Sequence, residues 1–308
     1  MLQHESTSTK KKAIGFALVI LGASFWGIGG TVAQRLFQHD NIEVGWLVSS
    51  RLLVAGFLLI VIYKMTHRND SIFAIWRTKK NAFRQLLFSL VGMLAVQYTY
   101  MASISLGNSA VATMLQYLSP LFIMAYYALT RHSKLTKHDG IAVTLTLIGT
   151  FLLLTNGSIS TFSVPTMAII WGVLSGLSAA FYTLYAVPLL KQFHSLLVVG
   201  WAMLIGGCVM SIFHQPWQIN VSSWTFETTG YFIFIVIFGT MLAFWFYIES
   251  LQYLSPKETS LLGSLEPLAA VVTSVLWLHI DFGFFQFIGT LLILCMILYL
   301  TTFQRTPE

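Results

Sequence analysis

Charge is what this sequence has least of. Only 9% of its 308 residues are Asp, Glu, Lys or Arg, where a water-soluble globular chain carries roughly a quarter. Water is thereby excluded as the solvent for most of the folded surface. Cysteine is nearly missing too. Cys208 and Cys295 are the two in the chain, each inside an apolar run, which excludes a disulfide scaffold or a cysteine-based zinc ribbon. Both read as small buried apolar side chains. The eight histidines fall near helix ends or in tails, without metal-ligand spacing, so no metal site is expected. HExxH, GxSxG, a P-loop and clustered carboxylates are all lacking. An enzyme is therefore not expected, nor a cofactor, and ATP cannot drive a cycle from within this chain.

What the chain does have is apolar length, 56% of its residues being hydrophobic and 15% aromatic. A hydrocarbon core about 30 Å thick takes roughly 20 apolar residues in helical form, so about ten crossings fit. Windows of about 19 residues place them near 13–36, 43–65, 82–103, 107–129, 138–155, 165–190, 195–214, 228–250, 257–278 and 282–302. The first begins after Lys10-Lys11-Lys12 and is too long for a cleaved signal peptide. The third and fourth are separated only by Ser105-Leu106-Gly107-Asn108, where glycine followed by asparagine suits a tight turn.

The formal charge of +6 does not point to nucleic acid, because the cations sit in loops between apolar runs. One alternate set of loops holds nearly all of them: Lys10 to Lys12, then Lys64, Arg68, Arg77, Lys79, Lys80 and Arg84, then Arg131, Lys134 and Lys137, then Lys191, Lys257 and Arg305. The opposite loops hold none apart from Arg35 at a helix end. Basic residues in short loops stay on the cytoplasmic side. A multi-pass protein of the plasma membrane is expected, in a bacterial cell, with both termini cytoplasmic and the lipid bilayer as its partner. The basic loop from Lys64 to Arg84 carries Ile72, Phe73, Ile75 and Trp76, and either lies along the anionic leaflet or is solvated.

An internal repeat is visible. Tyr100, Ser103, Leu118, Ser119, Pro120 and Leu121 align without gaps on Tyr247, Ser250, Leu265, Glu266, Pro267 and Leu268, at a constant offset of 147. A second match, at an offset of 156, sets Ala23-Ser24-Phe25-Trp26 against Ala179-Ala180-Phe181-Tyr182. Each half then has five segments, and an odd number inverts the second half in the membrane. The expected fold is all-α and integral to the membrane: ten transmembrane helices as two inverted five-helix repeats, 13–155 and 165–302, between tails 1–12 and 303–308. Such a pair offers two packings, opening to one side or the other, as alternating access requires.

These residues resemble a known family. Trp26-Gly27 in the first segment, Arg51-Leu52-Leu53 with Ala55 in the second and Leu265-Glu266-Pro267-Leu268 in the ninth, with the duplication, are similar to the ten-crossing, EamA-like branch of the drug/metabolite transporter superfamily. The resemblance covers residues 13–302. It implies export or exchange of amino acids, nucleosides, nucleotide-linked sugars or other metabolites through a cavity between the halves. The family often has an acidic residue just after the fourth and ninth segments. Here those positions read Thr130-Arg131-His132 and His279-Ile280-Asp281, and only Asp281 stands in.

Charge within a crossing is costly and marks functional candidates. Arg51 lies about eight residues, roughly 12 Å, from the outer end of the second segment, and Glu266 about nine residues, roughly 14 Å, from the inner end of the ninth. Both depths fall near the midplane, facing each other or a wet cavity, or serving structure alone. Pro267 follows Glu266 directly, and interrupted helices at matching places in two halves point to a transporter's binding site; Ser119 and Pro120 are the matching place. Glu266 is the candidate carrier if the coupling ion is H+, since a carboxyl moving between a dry and a wet setting exchanges protons. Trp26, Gln97, Tyr98, Gln116, Tyr117, Tyr182, Tyr185 and Trp245 are candidates to line the cavity around a small-molecule substrate, with packing the alternative for each. Gly172 and Gly176 permit close helix contact, within one chain or between two. A lipid scramblase remains a second reading, which Arg51 and Glu266 count against.

Overall fold

Every regular element of the computed structural model is helical among the residues it describes: 2–130, 137–158, 162–218, 224–250, 252–254, 259 and 262–303. Arg131, His132, Lys134, Lys257 and Arg305 lie outside these. The helices are α1 (Leu2–Gln38), α2 (Val44–Thr66), α3 (Lys79–Leu106), α4 (Ser109–Leu129), α5 (Lys137–Thr155), α6 (Thr166–Leu190), α7 (Ser195–Phe213), α8 (Phe226–Ser250), α9 (Leu265–Leu276) and α10 (Phe284–Phe303). Seven are long and apolar enough to cross a membrane, namely α1 to α4 and α6 to α8; α5, α9 and α10 contain shorter apolar stretches. The tight turn expected between α3 and α4 is present. Gly107 ends α3, and the Asn108 side chain caps α4 by accepting from Val111 N at 2.9 Å.

Two helices contain a π-helical stretch. The hydrogen-bond ladder widens to a π-helix over Phe88–Leu94 in α3 and over Ile237–Leu242 in α8. Two more breaks precede prolines. In α4 the helix stops at Gln116, turns through Tyr117 and Leu118 and restarts at Ser119, with Pro120 in its first turn; α9 starts at Leu265 with Pro267 third. Pro120 and Pro267 therefore do not kink continuous helices, as a proline in mid-segment suggests. They occupy first turns, where a missing N–H costs nothing.

Without a hydrophobic force between helices in lipid, close approach and interhelical hydrogen bonds set the packing. α2 packs on α7, α5 on α10, α1 on α8 and α9, and α6 on α3 and α4. α5 and α10 cross at Gly149 and Gly289, where a Cβ on Gly149 would lie 2.9 Å from the Gly289 carbonyl oxygen. Gly172 and Gly176 take Leu115 and Phe122 of α4 against α6, so that motif is used within the chain. Thr31 Oγ1 lies 3.0 Å from Ser109 Oγ and 2.7 Å from Thr273 Oγ1, and Ser109 Oγ lies 2.7 Å from Ser274 Oγ. This hydroxyl seam ties α1, α4 and α9 together.

Cys208 and Cys295 are exposed, contrary to the burial expected of them. The exterior of this fold is itself apolar, with Phe57, Leu147 and Phe151 exposed on it, so a small apolar side chain gains nothing by facing inward. The basic 67–78 loop also departs from a layer along the leaflet. Ile75 is fully buried, Trp76 packs edge-on against Trp201 at 5.3 Å, and Trp201 Nε1 donates to Ile72 O at 2.8 Å. Only Phe73 of the four large side chains is exposed.

At the same end of the bundle the His194 ring, which caps α7 by accepting from Leu196 N, lies 4.4 Å from the His67 ring and 5.7 Å from Tyr63. Burial holds His194 below the ordinary histidine range, and His67 adds to this while Asp70 opposes it. The unfolded chain thus protonates first as pH falls. The stability contributed is complete above pH 6.5, the ordinary value, and declines below it. We expect the thermal midpoint of the detergent-purified protein to drop as pH falls through this range. In His194→Asn, which keeps a capping side chain, the drop should be smaller.

Candidate functional site

The breaks converge. A cavity of about 180 Å³ lies where α1, α2, α3, α4, α6, α8 and α9 meet. Met93 and Gly239 enter it from the two π-helical stretches, Gln116 from the last turn before the break in α4, and Glu266 from the first turn of α9. A carbonyl freed by a broken helix needs a donor, and one side chain here serves two breaks. The Tyr117 hydroxyl, from the break in α4, lies 3.1 Å from Gly263 O and 3.0 Å from Glu266 Oε2.

The charged pair expected near the midplane is present in the cavity but is not a pair. Arg51 is 3% exposed, and its Nη2 donates to Gln97 Oε1 on α3. Glu266 is half-buried and held by Tyr117. Each charge has a neutral partner, and no ion pair joins them. Gln116 Nε2 donates to Ser175 Oγ on α6 at 3.0 Å.

Of the other aromatic candidates, Trp26 and Tyr182 line the cavity. Trp26 packs at 4.8 Å from Phe244 and 5.1 Å from Tyr247, and Tyr182 at 4.9 Å from Phe88. Tyr98 lies away from the lining, edge-on to Trp171 at 5.7 Å; Tyr185 stacks on Phe181 at 5.0 Å; Trp245 lies 6.0 Å from Phe246. Ser119, Pro120 and Pro267 shape the breaks without lining the cavity. Asp281 is exposed in the loop before α10. Tyr100, whose hydroxyl lies 2.8 Å from Thr113 Oγ1, lines the cavity with Phe244, Met101, Gly29 and Gly30. Of these only Tyr100 carried a sequence signal, its match to Tyr247 in the repeat.

A helical, multi-pass membrane protein whose broken helices meet at a polar cavity is the class defined by this fold and site. The chain belongs to the EamA-like transporter family, whose model matches residues 13–155 and again 166–302. It is 36% identical over 302 residues, 97% of each chain, to the uncharacterized inner membrane transporter YicL of Salmonella typhimurium. It is also 21% identical to the uncharacterized transporter YyaM of Bacillus subtilis, over 96% of this chain and 97% of the other. A solved crystal structure shares the fold with a TM-score of 0.61 at 16% identity, covering 96% of this chain and 97% of that one. The protein is thus a membrane transporter of the drug/metabolite type.

Gly27 sets how closely α1 approaches the site. A Cβ there would collide with the Glu266 carbonyl oxygen and lie 2.8 Å from Ala270 N. Both are backbone atoms of α9 and cannot rotate away. We expect Gly27→Ala to lose about 1–3 kcal/mol through overpacking, read as a lowered thermal midpoint. Gly230→Ala, with nothing within 4 Å of the added carbon, should not lower it.

Proposed function

We propose that this protein is a secondary active transporter that exports a small organic molecule from the cytoplasm by alternating access, with Glu266 as its coupling site. The observation that carries the reading is the cavity built on helix breaks in both halves of the chain, with a carboxylate hydrogen-bonded across two of them. Irregular backbone at membrane depth is tolerated only where protein or a water-filled cavity satisfies it. In transporters such breaks form the substrate and ion sites.

The architecture proposed is ten crossings in two inverted halves, 13–155 and 165–302, with tails 1–12 and 303–308. Several observations support it. The family model matches twice, over nearly these bounds. The offset of 147 that relates Pro120 to Pro267 also relates Gly92 to Gly239, one in each π-helical stretch. Packing has the same symmetry: α1 lies on α8 and α9, as α6 lies on α3 and α4. On this reading both termini are cytoplasmic, in agreement with the loop cations, and the site is the inner membrane of a bacterial cell, as in the name of the Salmonella relative.

Arg51 and Glu266 within the cavity disfavour a lipid-moving groove, which would be apolar at its centre. In the proposed cycle Glu266 takes a proton from one side and gives it up on the other. Its tie to Tyr117 is made or weakened accordingly, which changes how α4 and α9 sit against each other. In proteoliposomes, for a cargo found by thermal-shift screening, Glu266→Gln should abolish transport driven by a pH gradient while counterflow exchange survives. Gradient-driven transport that persists at the wild-type rate in this variant refutes the coupling role.

A further inference from the structure

Arg51 enters the cavity from α2 with almost no exposed surface. Its hydrogen bond runs from Nη2 to Gln97 Oε1, and its Nε is buried with no partner at all. His214 Nδ1 lies 2.6 Å from Glu43 Oε1, but at an end of the bundle away from Arg51. Among the described residues no carboxylate pairs with Arg51, since Glu266 on the same cavity is held by Tyr117 instead.

A guanidinium stays charged under all physiological conditions, and burying one without a counter-charge is strongly unfavourable. Gln97 orients the planar fork without neutralising it. Folding leaves the counter-charge to be supplied, and the cavity is where it can enter. We propose that Arg51 is the anion-recognition group of this cavity, and that the cargo is a small monocarboxylate with an apolar body. This deepens the transport reading above and rests on it for the word cargo.

The chemistry of the cavity narrows the class. A planar guanidinium matches a carboxylate through paired N–H donors. Phosphate carries more charge and more acceptors than one guanidinium can meet. A second carboxylate is disfavoured by Glu266, which lines the same space. Apart from Gln116, whose amide is engaged by Ser175, the remaining walls are mainly aromatic and aliphatic, with Trp26, Tyr182, Phe244 and Met93 among them, suited to an apolar body. The volume of about 180 Å³ exceeds the roughly 150 Å³ of an apolar cavity that holds benzene in another protein.

The test uses the full chain purified in detergent, with benzoate and phenylacetate as probes and their neutral amides as controls. Both acids should raise the thermal midpoint at millimolar concentration and neither amide should. In Arg51→Gln the half-saturating acid concentration should rise by about tenfold or more. Arg51→Lys, a point charge without the fork, should fall between. Amides that stabilise as well as acids, acids that do not stabilise, or an unchanged acid response in Arg51→Gln each overturn the proposal. Should Arg51→Gln fail to fold, the comparison of acid with amide on the wild-type chain decides. Liposome counterflow separates this proposal from the transport reading. Acids that bind but are not exchanged leave Arg51 as an anion site and overturn monocarboxylates as the cargo. Exchange of the amides without the acids keeps the transport reading and overturns the proposal.

Discussion

Inside a bilayer no water satisfies a backbone N–H or C=O, so a spanning chain must be helical wherever it meets lipid. Every departure from the helix then has to be surrounded by protein or open into a cavity. Among the described residues four departures, two π-helical stretches and two breaks before prolines, lie around one space. The cavity is therefore part of how the fold satisfies its own backbone. The Tyr117 hydroxyl shows the economy of the arrangement: one side chain from one break reaches both the Gly263 carbonyl and the Glu266 carboxylate at the other.

The same constraint bears on the charges. A buried Arg–Glu ion pair would satisfy both groups and leave neither available to a ligand or a proton. Arg51 and Glu266 are instead each held by a neutral partner, an amide for the cation and a phenol for the carboxylate. Neutral partners orient a charge without cancelling it, so both remain chemically available where they enter the cavity. Each buried charge remains costly, and the close helix contacts offset that cost. Gly27 against α9 and Gly172 against α4 bring backbones together near the site, so that dispersion and hydroxyl bonds do what a hydrophobic force cannot do in lipid.

Helix positions were legible in the sequence because hydrocarbon thickness dictates run length, and the turn at Gly107-Asn108 because its chemistry is local. That Arg51 and Glu266 reach one space was legible for the same reason, since rise per residue converts position along a helix into depth. Which face of a helix looks inward was not. When every face is apolar no amphipathic stripe remains to be read, and only the repeat match of Trp26 with Tyr182 set these two apart from Tyr98, Tyr185 and Trp245. Exposure of Cys208 and Cys295 was missed because lipid, unlike water, does not drive small apolar groups inward. The π-helical stretches have no compositional mark at all. The trace they leave is the repeat offset that pairs Gly92 with Gly239.

The repeat also fails in an informative place. On the inverted reading, Thr31, Thr273 and Ser274 of the hydroxyl seam correspond to Val187, Tyr126 and Tyr127 near the other end of the bundle. The halves have kept their breaks and their packing partners, but not this seam. Interhelical hydrogen bonds in membranes average about 0.6 kcal/mol each, so the three hydroxyl contacts of the seam amount to roughly 2 kcal/mol at this end of the molecule. On the inverted reading proposed above, two mirrored packings of the backbone would differ in energy through their side chains. If the halves exchange packings as proposed, the departure of Thr31, Thr273 and Ser274 from the repeat biases that exchange toward the arrangement that makes the seam.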